Sequence, residues 1–157
     1  MRRANQNDLH SILSLLDLAF APSQVESKLV RSLVEHARPI HQWVLESEGI
    51  LKAYICYSTA FRAERPIGLH LAPVAVHPQQ QRRGLGSTMI RETLVQPPIG
   101  ASAVFVLGEP SYYERFGFQR VQRPVCPFEP NNAHFMALRY QSEENFQIGY
   151  ESDFMDA

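Results

Sequence analysis

The chain has 157 residues and a formal net charge of -1 at pH 7, which fits one domain of ordinary size and excludes the strongly basic balance of a general nucleic-acid or anionic-lipid binder. Apolar residues make up 45% and charged residues 20%, enough for a packed core and too apolar for a disordered chain. No apolar run approaches the ~18 residues of a membrane span, and no secretory-type apolar stretch opens the chain; a cytoplasmic protein without membrane or nucleic-acid partners is expected. Residues 1–4 read as a short strand. Asn7 or Asp8 then caps a helix with Leu9, Ile12, Leu13, Leu16 and Ala19 on one face. Pro22 interrupts it, and Ser23-Gln24-Val25-Glu26 has capping-box spacing for a second helix carrying Val25, Leu29, Leu33 and Val34. Arg38-Pro39 ends that helix, because a proline disfavours helical geometry in the residue before it.

Residues 42–46 and 50–58 are rich in aromatic and β-branched side chains and form a hairpin around Gly49. Along the second strand Leu51, Ala53, Ile55 and Tyr57 are expected on one face, with Ile50, Lys52, Tyr54 and Cys56 on the other. A polar break over 62–66 precedes a strand at 67–76. Pro73 inside that strand removes a ladder donor, so regular pairing is expected to fail there. After a turn at 77–80 comes Gln81-Arg82-Arg83-Gly84-Leu85-Gly86-Ser87, then a helix with Leu85, Met89, Ile90 and Leu94 on one side, stopped by Pro97-Pro98. Residues 103–107 are a fifth strand. Glu109-Pro110-Ser111 opens a short helix ended by Gly117, and 118–121 continues as a strand. The segment 121–132 contains three prolines and is irregular, 133–140 is a final strand, and the residues from Gln141 onward read as a polar, acidic and mobile tail.

Gly84 and Gly86 stand between a strand and a helix, where small residues let backbone amides point at an anion such as a pyrophosphate. A glycine-rich turn that merely permits a sharp reversal explains the same two residues. A Walker loop is excluded by the missing Gly-Lys-Ser/Thr ending, and a dinucleotide fingerprint by the missing third glycine. Cys56 and Cys126 have no cysteine or histidine at metal-ligand spacing and the six histidines are scattered, so two free thiols and no metal are expected.

Gln81, Gly84 and Gly86 match in register the Gln/Arg-x-x-Gly-x-Gly/Ala motif of the GNAT superfamily of N-acetyltransferases, which the chain resembles. Leu71-Ala-Pro-Val-Ala-Val-His-Pro78 looks like that family's fourth strand, and Tyr112-Tyr-Glu-Arg-Phe-Gly-Phe118 like its closing Tyr-x-x-x-Gly-Phe element. The similarity runs from Arg2 to about Tyr140 and is nearest the YhbS-like bacterial branch, which implies little about substrate. It implies a single α/β domain over residues 1–140, followed by the tail at 141–157. In that fold a twisted mixed sheet is flanked by helices, and its fourth and fifth strands splay apart. Acetyl-CoA is implied as co-substrate. Its pantetheine arm would meet main-chain groups of Val74, Ala75 and Val76, and its pyrophosphate the amides between Arg82 and Ser87, with Gln81, Arg83, Gly84, Leu85 and Gly86 in the same loop.

The acceptor implied is an amine, on a small molecule or a peptide; the oligomeric state stays open, with a homodimer as one option. The resemblance assigns the general acid to Tyr113, four residues before Gly117, with Tyr112 as the competing choice and aromatic packing as the plain reading of both. An alkylamine with a pKa near 10.4 is almost wholly protonated at neutral pH, and freeing its lone pair costs roughly 4 to 5 kcal/mol. The fourth strand has no carboxylate where some relatives place a glutamate. His70, on that strand, and Glu109, at the end of the fifth, are the base candidates. Cys126 as an acyl-carrying nucleophile has no indicated partner base. A non-catalytic CoA-binding module and an interaction domain that keeps only the fold are the alternatives of other classes.

Overall fold

The first helix begins with a cap one turn earlier than the sequence pointed to. In the computed structural model, which describes residues 1–157, the Asn5 side chain accepts the Asn7 amide at 2.8 Å and Asp8 turns back to accept the Asn5 amide at 2.8 Å. Asp8 also holds Arg2 at 2.8 Å, so its carboxylate closes a single 3-10 turn, Gln6–Asp8, that feeds α1 (Leu9–Ala19). Ser23 accepts the Val25 amide and donates to Glu26, starting α2 (Val25–Glu35). Leu29, Val30 and Leu33 are the buried apolar residues of α2, while Val25, expected in that stripe, is exposed.

The strands are β1 (Arg2–Arg3), β2 (His41–Ser47), β3 (Ile50–Arg62), β4 (Arg65–Val76), β5 (Val104–Leu107), β6 (Gln119–Arg120), β7 (Phe135–Leu138) and β8 (Ile148–Gly149). They form one sheet in the order β1-β2-β3-β4-β5-β7-β6, with β8 beside the far end of β3. Only the β4–β5 pair is parallel. The polar break expected at 62–66 is a two-residue turn, and Arg62 pairs directly with Arg65. Pro66 is accommodated beside a register shift, where a strand tolerates a missing amide.

A second irregularity resets the alternation of β3. Leu45 faces Ala53 while Glu46 faces Leu51, so Lys52 is an extra residue and Leu51 swings to the face of Tyr54 and Cys56. The expectation that Leu51 shares a face with Ala53, Ile55 and Tyr57 is corrected by this bulge.

Helix α3 (Leu85–Thr93) packs Met89 and Ile90, with Leu94 just past its end, on one sheet face, over Ala53, Ile55, Tyr57, Leu71, Val104 and Val106. Helices α1 and α2 cover the other face over Val44, Tyr54, Cys56 and Ala75. Farther along that second face lies a third cluster of Ala60, Phe105, Cys126, Phe135, Ala137 and Ile148.

The residues after Gln141, expected as a mobile tail, return to the sheet. Ile148 and Gly149 pair with Arg62 and Phe61, and a last turn, α5 (Asp153–Asp156), docks on α2. The Asp153 carboxylate is closed off from solvent and accepts from Ser32 Oγ at 2.5 Å, His36 Nδ1 at 2.6 Å and Arg38 Nε at 2.8 Å. A polar segment is held here because the buried Asp153 charge has three partners waiting.

Candidate active site

The sheet opens between its two parallel strands. β4 and β5 pair only at Leu69 with Val104 and His70 with Phe105; beyond that point β4 pairs with β3 alone and β5 with β7 alone. Pro73 marks the same region. Leu71 faces Tyr57 and Val74 faces Ile55, so Ala72 and Pro73 together oppose Cys56 as a bulge. The expected loss of regular pairing at Pro73 is present, and Val74, Ala75 and Val76 lie on the opened stretch. Val74 and Val76 turn toward α3 and Ala75 toward α1.

The loop after β4 is tied back to it, since Gln81 Nε2 donates to the Val76 carbonyl at 3.2 Å. Arg83 reaches Gln80 at 3.2 Å, and the side chains of Arg82 and Arg83 are exposed. Arg82 and Gly84 both take left-handed backbone angles, with φ of 66° and 78°, which reverses the chain into α3. The first bond inside α3 is from the Thr88 amide to the Gly84 carbonyl at 3.0 Å, so the amides of Leu85, Gly86 and Ser87 precede it without helical partners. The Leu85 side chain packs in the core beneath α3.

The two glycines differ. Gly84 is explained by its backbone angle alone. Gly86 is helical with ordinary φ, and a Cβ there would meet only Val76 Cγ2 at 3.5 Å and the Tyr112 hydroxyl at 3.6 Å. A glycine in a helix costs about 1 kcal/mol against alanine, and nothing inside the protein requires one at 86. The turn reading covers only half of the motif.

Helix α4 (Pro110–Tyr113) sets its two phenols apart. The Tyr112 hydroxyl bonds Ser87 Oγ at 3.0 Å, which joins the loop to α4. Tyr113 makes no hydrogen bond through its hydroxyl. Its ring lies on the backbone of Gly108, where a Cβ would stand 2.4 Å from Tyr113 Cε2, and burial raises its pKa to about 12. Gly108 was not singled out from sequence, where a glycine ahead of Glu109-Pro110 reads as an ordinary turn residue.

On the opposite sheet face, at the mouth of the opening, is a cavity of about 200 Å³. Its walls are His70, Leu71 and Ala72 of β4, Phe105, Val106 and Leu107 of β5, Phe128 of the irregular loop, and Tyr150 and Phe154 of the C-terminal segment. The last three were missed; for Tyr150 and Phe154 the available signal was the recurrence of aromatic rings every four residues, at 146, 150 and 154. His70 Nε2 lies 2.9 Å from the Gly149 carbonyl. A carbonyl only accepts, so Nε2 carries the hydrogen and Nδ1 keeps its lone pair, with no partner in the protein. The imidazole stacks on Tyr150 with centroids 3.6 Å apart, and burial lowers its pKa to about 4. Ser58, paired opposite His70, has a buried hydroxyl without a partner.

Glu109 is exposed, bonded to Ser111 and off the cavity wall. Cys126 lies behind Tyr150, with Sγ 3.6 Å from its hydroxyl, and Cys56 is buried with its pKa pushed up to about 12. No three histidine, cysteine, aspartate or glutamate side chains are arranged to hold a metal ion, and no helix is long and apolar enough to cross a membrane.

Residues 38–120, just over half of the chain, match the family described as acetyltransferase (GNAT) domain. The uncharacterized N-acetyltransferase YjhQ of Escherichia coli is 36% identical over 121 residues, 73% of this chain and 66% of YjhQ, so the match spans just under two thirds of that relative. The uncharacterized N-acetyltransferase YhbS of Escherichia coli is 31% identical over 115 residues, 71% of this chain and 68% of YhbS. The crystal structure of YhbS in complex with CoA superposes with a TM-score of 0.87 at 25% identity, covering 98% of this chain and 90% of that one. A GNAT family acetyltransferase from Brucella melitensis in complex with acetyl-CoA gives 0.80 at 27% identity, covering 98% and 96%. The parted strands, the glycine loop and the Tyr-x-x-x-Gly-Phe turn thus sit in a shared sequence and a shared fold, and the chain belongs to the GNAT acetyltransferases.

Proposed function

We propose that this chain binds acetyl-CoA along the opening between β4 and β5 and transfers the acetyl group to an amine. The observation that carries the reading is the parting of β4 from β5 after His70 and Phe105, which leads from the free amides at the start of α3 to the cavity on the far face. The two related proteins crystallised with CoA and acetyl-CoA support the same ligand. The pyrophosphate lies against the amides of Leu85, Gly86 and Ser87, where helix donors and dipole favour an anion. Gln81 positions this loop through Val76, and Arg82 and Arg83 add positive charge beside it. The pantetheine arm runs along Val74, Ala75 and Val76.

The amine nitrogen attacks the thioester carbonyl, forming the N–C bond and an oxyanion; collapse of that intermediate breaks the C–S bond. The Tyr113 hydroxyl, still protonated at neutral pH and free of other bonds, gives its proton to the leaving sulfur. The surplus proton on nitrogen goes to His70 Nδ1, the unpartnered base on the cavity wall. With a pKa near 4, the imidazole passes that proton to solvent instead of keeping it.

Calorimetric titration and thermal unfolding with acetyl-CoA test the reading. Ligand at a hundredfold its Kd adds about 2.7 kcal/mol, a rise of roughly 5–10 °C for a domain of this size. Millimolar acetyl-CoA with no heat and no shift ends the proposal. Binding without thiol release across a broad amine panel leaves a CoA-binding module in place of an enzyme.

A further inference from the structure

The cavity at the strand opening has an unusual wall for a site that must receive an amine. Phe105, Phe128, Tyr150 and Phe154 supply aromatic surface, and no aspartate, glutamate, lysine or arginine lines it. An acceptor with several positive charges would shed its hydration there and meet no carboxylate, which costs several kcal/mol per ion. An apolar ring meets four others. The volume of about 200 Å³ exceeds the ~150 Å³ of an apolar cavity that takes up benzene, leaving room for a ring and a short arm.

Phe128 is 45% exposed at the cavity mouth and packs edge-on to Tyr150 at 4.9 Å, so an apolar guest covers surface that is otherwise wet. Of the polar side-chain atoms in the wall, His70 Nδ1 alone lacks a partner. It is a hydrogen-bond acceptor on an uncharged ring, suited to one amine N–H at the β4 end of the cavity.

Resting on the reading that the chain acetylates an amine, we propose that the acceptor is an arylalkylamine: one amino group joined by a short aliphatic arm to an aromatic ring, with no second charge. The ring occupies the space between Phe105, Phe128, Tyr150 and Phe154, and the amino group points to His70 and the opening between the strands. The C-terminal segment is then a specificity element, because it contributes Tyr150 and Phe154.

Thiol release from acetyl-CoA is measured with phenethylamine, butylamine and spermidine, alongside thermal unfolding of the CoA-saturated protein on addition of phenethylamine. The expected kcat/KM for phenethylamine exceeds that for butylamine by about tenfold or more, in keeping with burial of a ring, and spermidine is the poorest. Phe128→Glu, at an exposed position, is expected to lower phenethylamine turnover and binding about tenfold while the acetyl-CoA Kd is unchanged. Equal rates across the panel, or preference for spermidine, overturn the acceptor class and leave acetyl transfer standing. Thermal stabilisation by phenethylamine that Phe128→Glu removes, with no thiol release from any amine, upholds the cavity assignment and refutes transfer. Neither stabilisation nor turnover with phenethylamine overturns the proposal.

Discussion

Two adjacent tyrosines in one short helix have different chemical situations. Tyr112 is committed to Ser87 through its hydroxyl, whereas Tyr113 is fixed by its ring against Gly108 and keeps its hydroxyl free. Tyr113→Phe leaves that ring contact intact and is expected to lower kcat by about ten- to a thousandfold, the span of lost general-acid catalysis and of partial substitution by water. The acetyl-CoA Kd should stay the same, because protonation of the leaving thiolate is a transition-state role. Tyr112→Phe removes a neutral hydrogen bond worth about 0.5–1.5 kcal/mol and should act on cofactor affinity instead. Pre-steady-state kinetics with calorimetry separates the two; unaltered rates in both variants would reduce the pair to packing residues. Since burial raises the Tyr113 pKa to about 12, its acid form persists throughout the neutral range and its ionisation should leave no mark on a rate profile below about pH 10.

At the level of elements, the loop and the first turn of α3 combine one glycine required by geometry with one that is not. Gly84→Ala places a side chain at φ of 78° and is expected to cost about 1–2 kcal/mol in stability. Gly86→Ala meets only ordinary contacts, so helix propensity predicts a gain of up to about 1 kcal/mol. In the proposed binding mode its methyl group nevertheless stands where the pyrophosphate approaches, and acetyl-CoA affinity is expected to fall tenfold or more. Urea unfolding and titration on the same sample check both signs, and an unchanged Kd in Gly86→Ala removes the phosphate from this loop. The β4 bulge was legible in sequence because Pro73 cannot donate to a ladder. The bulge at Lys52 was not, since nothing in residues 50–57 breaks the alternation; pairing with β2 imposes it.

For the whole molecule, the C-terminal segment is the part whose role changed most between sequence and structure. Its attachment depends on Asp153, where burial opposes the charge but bonds from Ser32, His36 and Arg38 outweigh it and hold the pKa at about 2, against 3.8 when free. A depressed carboxylate stabilises the fold above its unfolded pKa, and that contribution is lost as pH falls from about 4 through 2. Asp153→Asn is expected to cost roughly 1–3 kcal/mol at pH 7, with the difference from the parent shrinking across that acid window. Thermal unfolding of both proteins between pH 2 and 7 checks it; a constant offset down to pH 2 would mean that the carboxylate charge is not what holds the segment.

The sequence by itself determined what depends on local covalent constraint. Helix starts at Ser23 and Pro110, the break at Pro73 and the chain reversal at Gly84 follow from which backbone angles and donors each residue permits, whereas the motifs around Gly86 and Tyr113 were legible only through their resemblance to a known family. The tertiary structure alone decided what depends on distant partners. Composition marks residues 141–157 as polar, but their placement rests on Asp153 meeting α2 and on Ile148 and Gly149 pairing with β3, contacts more than eighty residues apart in the chain. The aromatic cavity arises in the same way: Phe105 and Phe128 come from segments far in the chain from the one that carries Tyr150 and Phe154, and only the closing of those segments over the parted strands brings their rings to one wall.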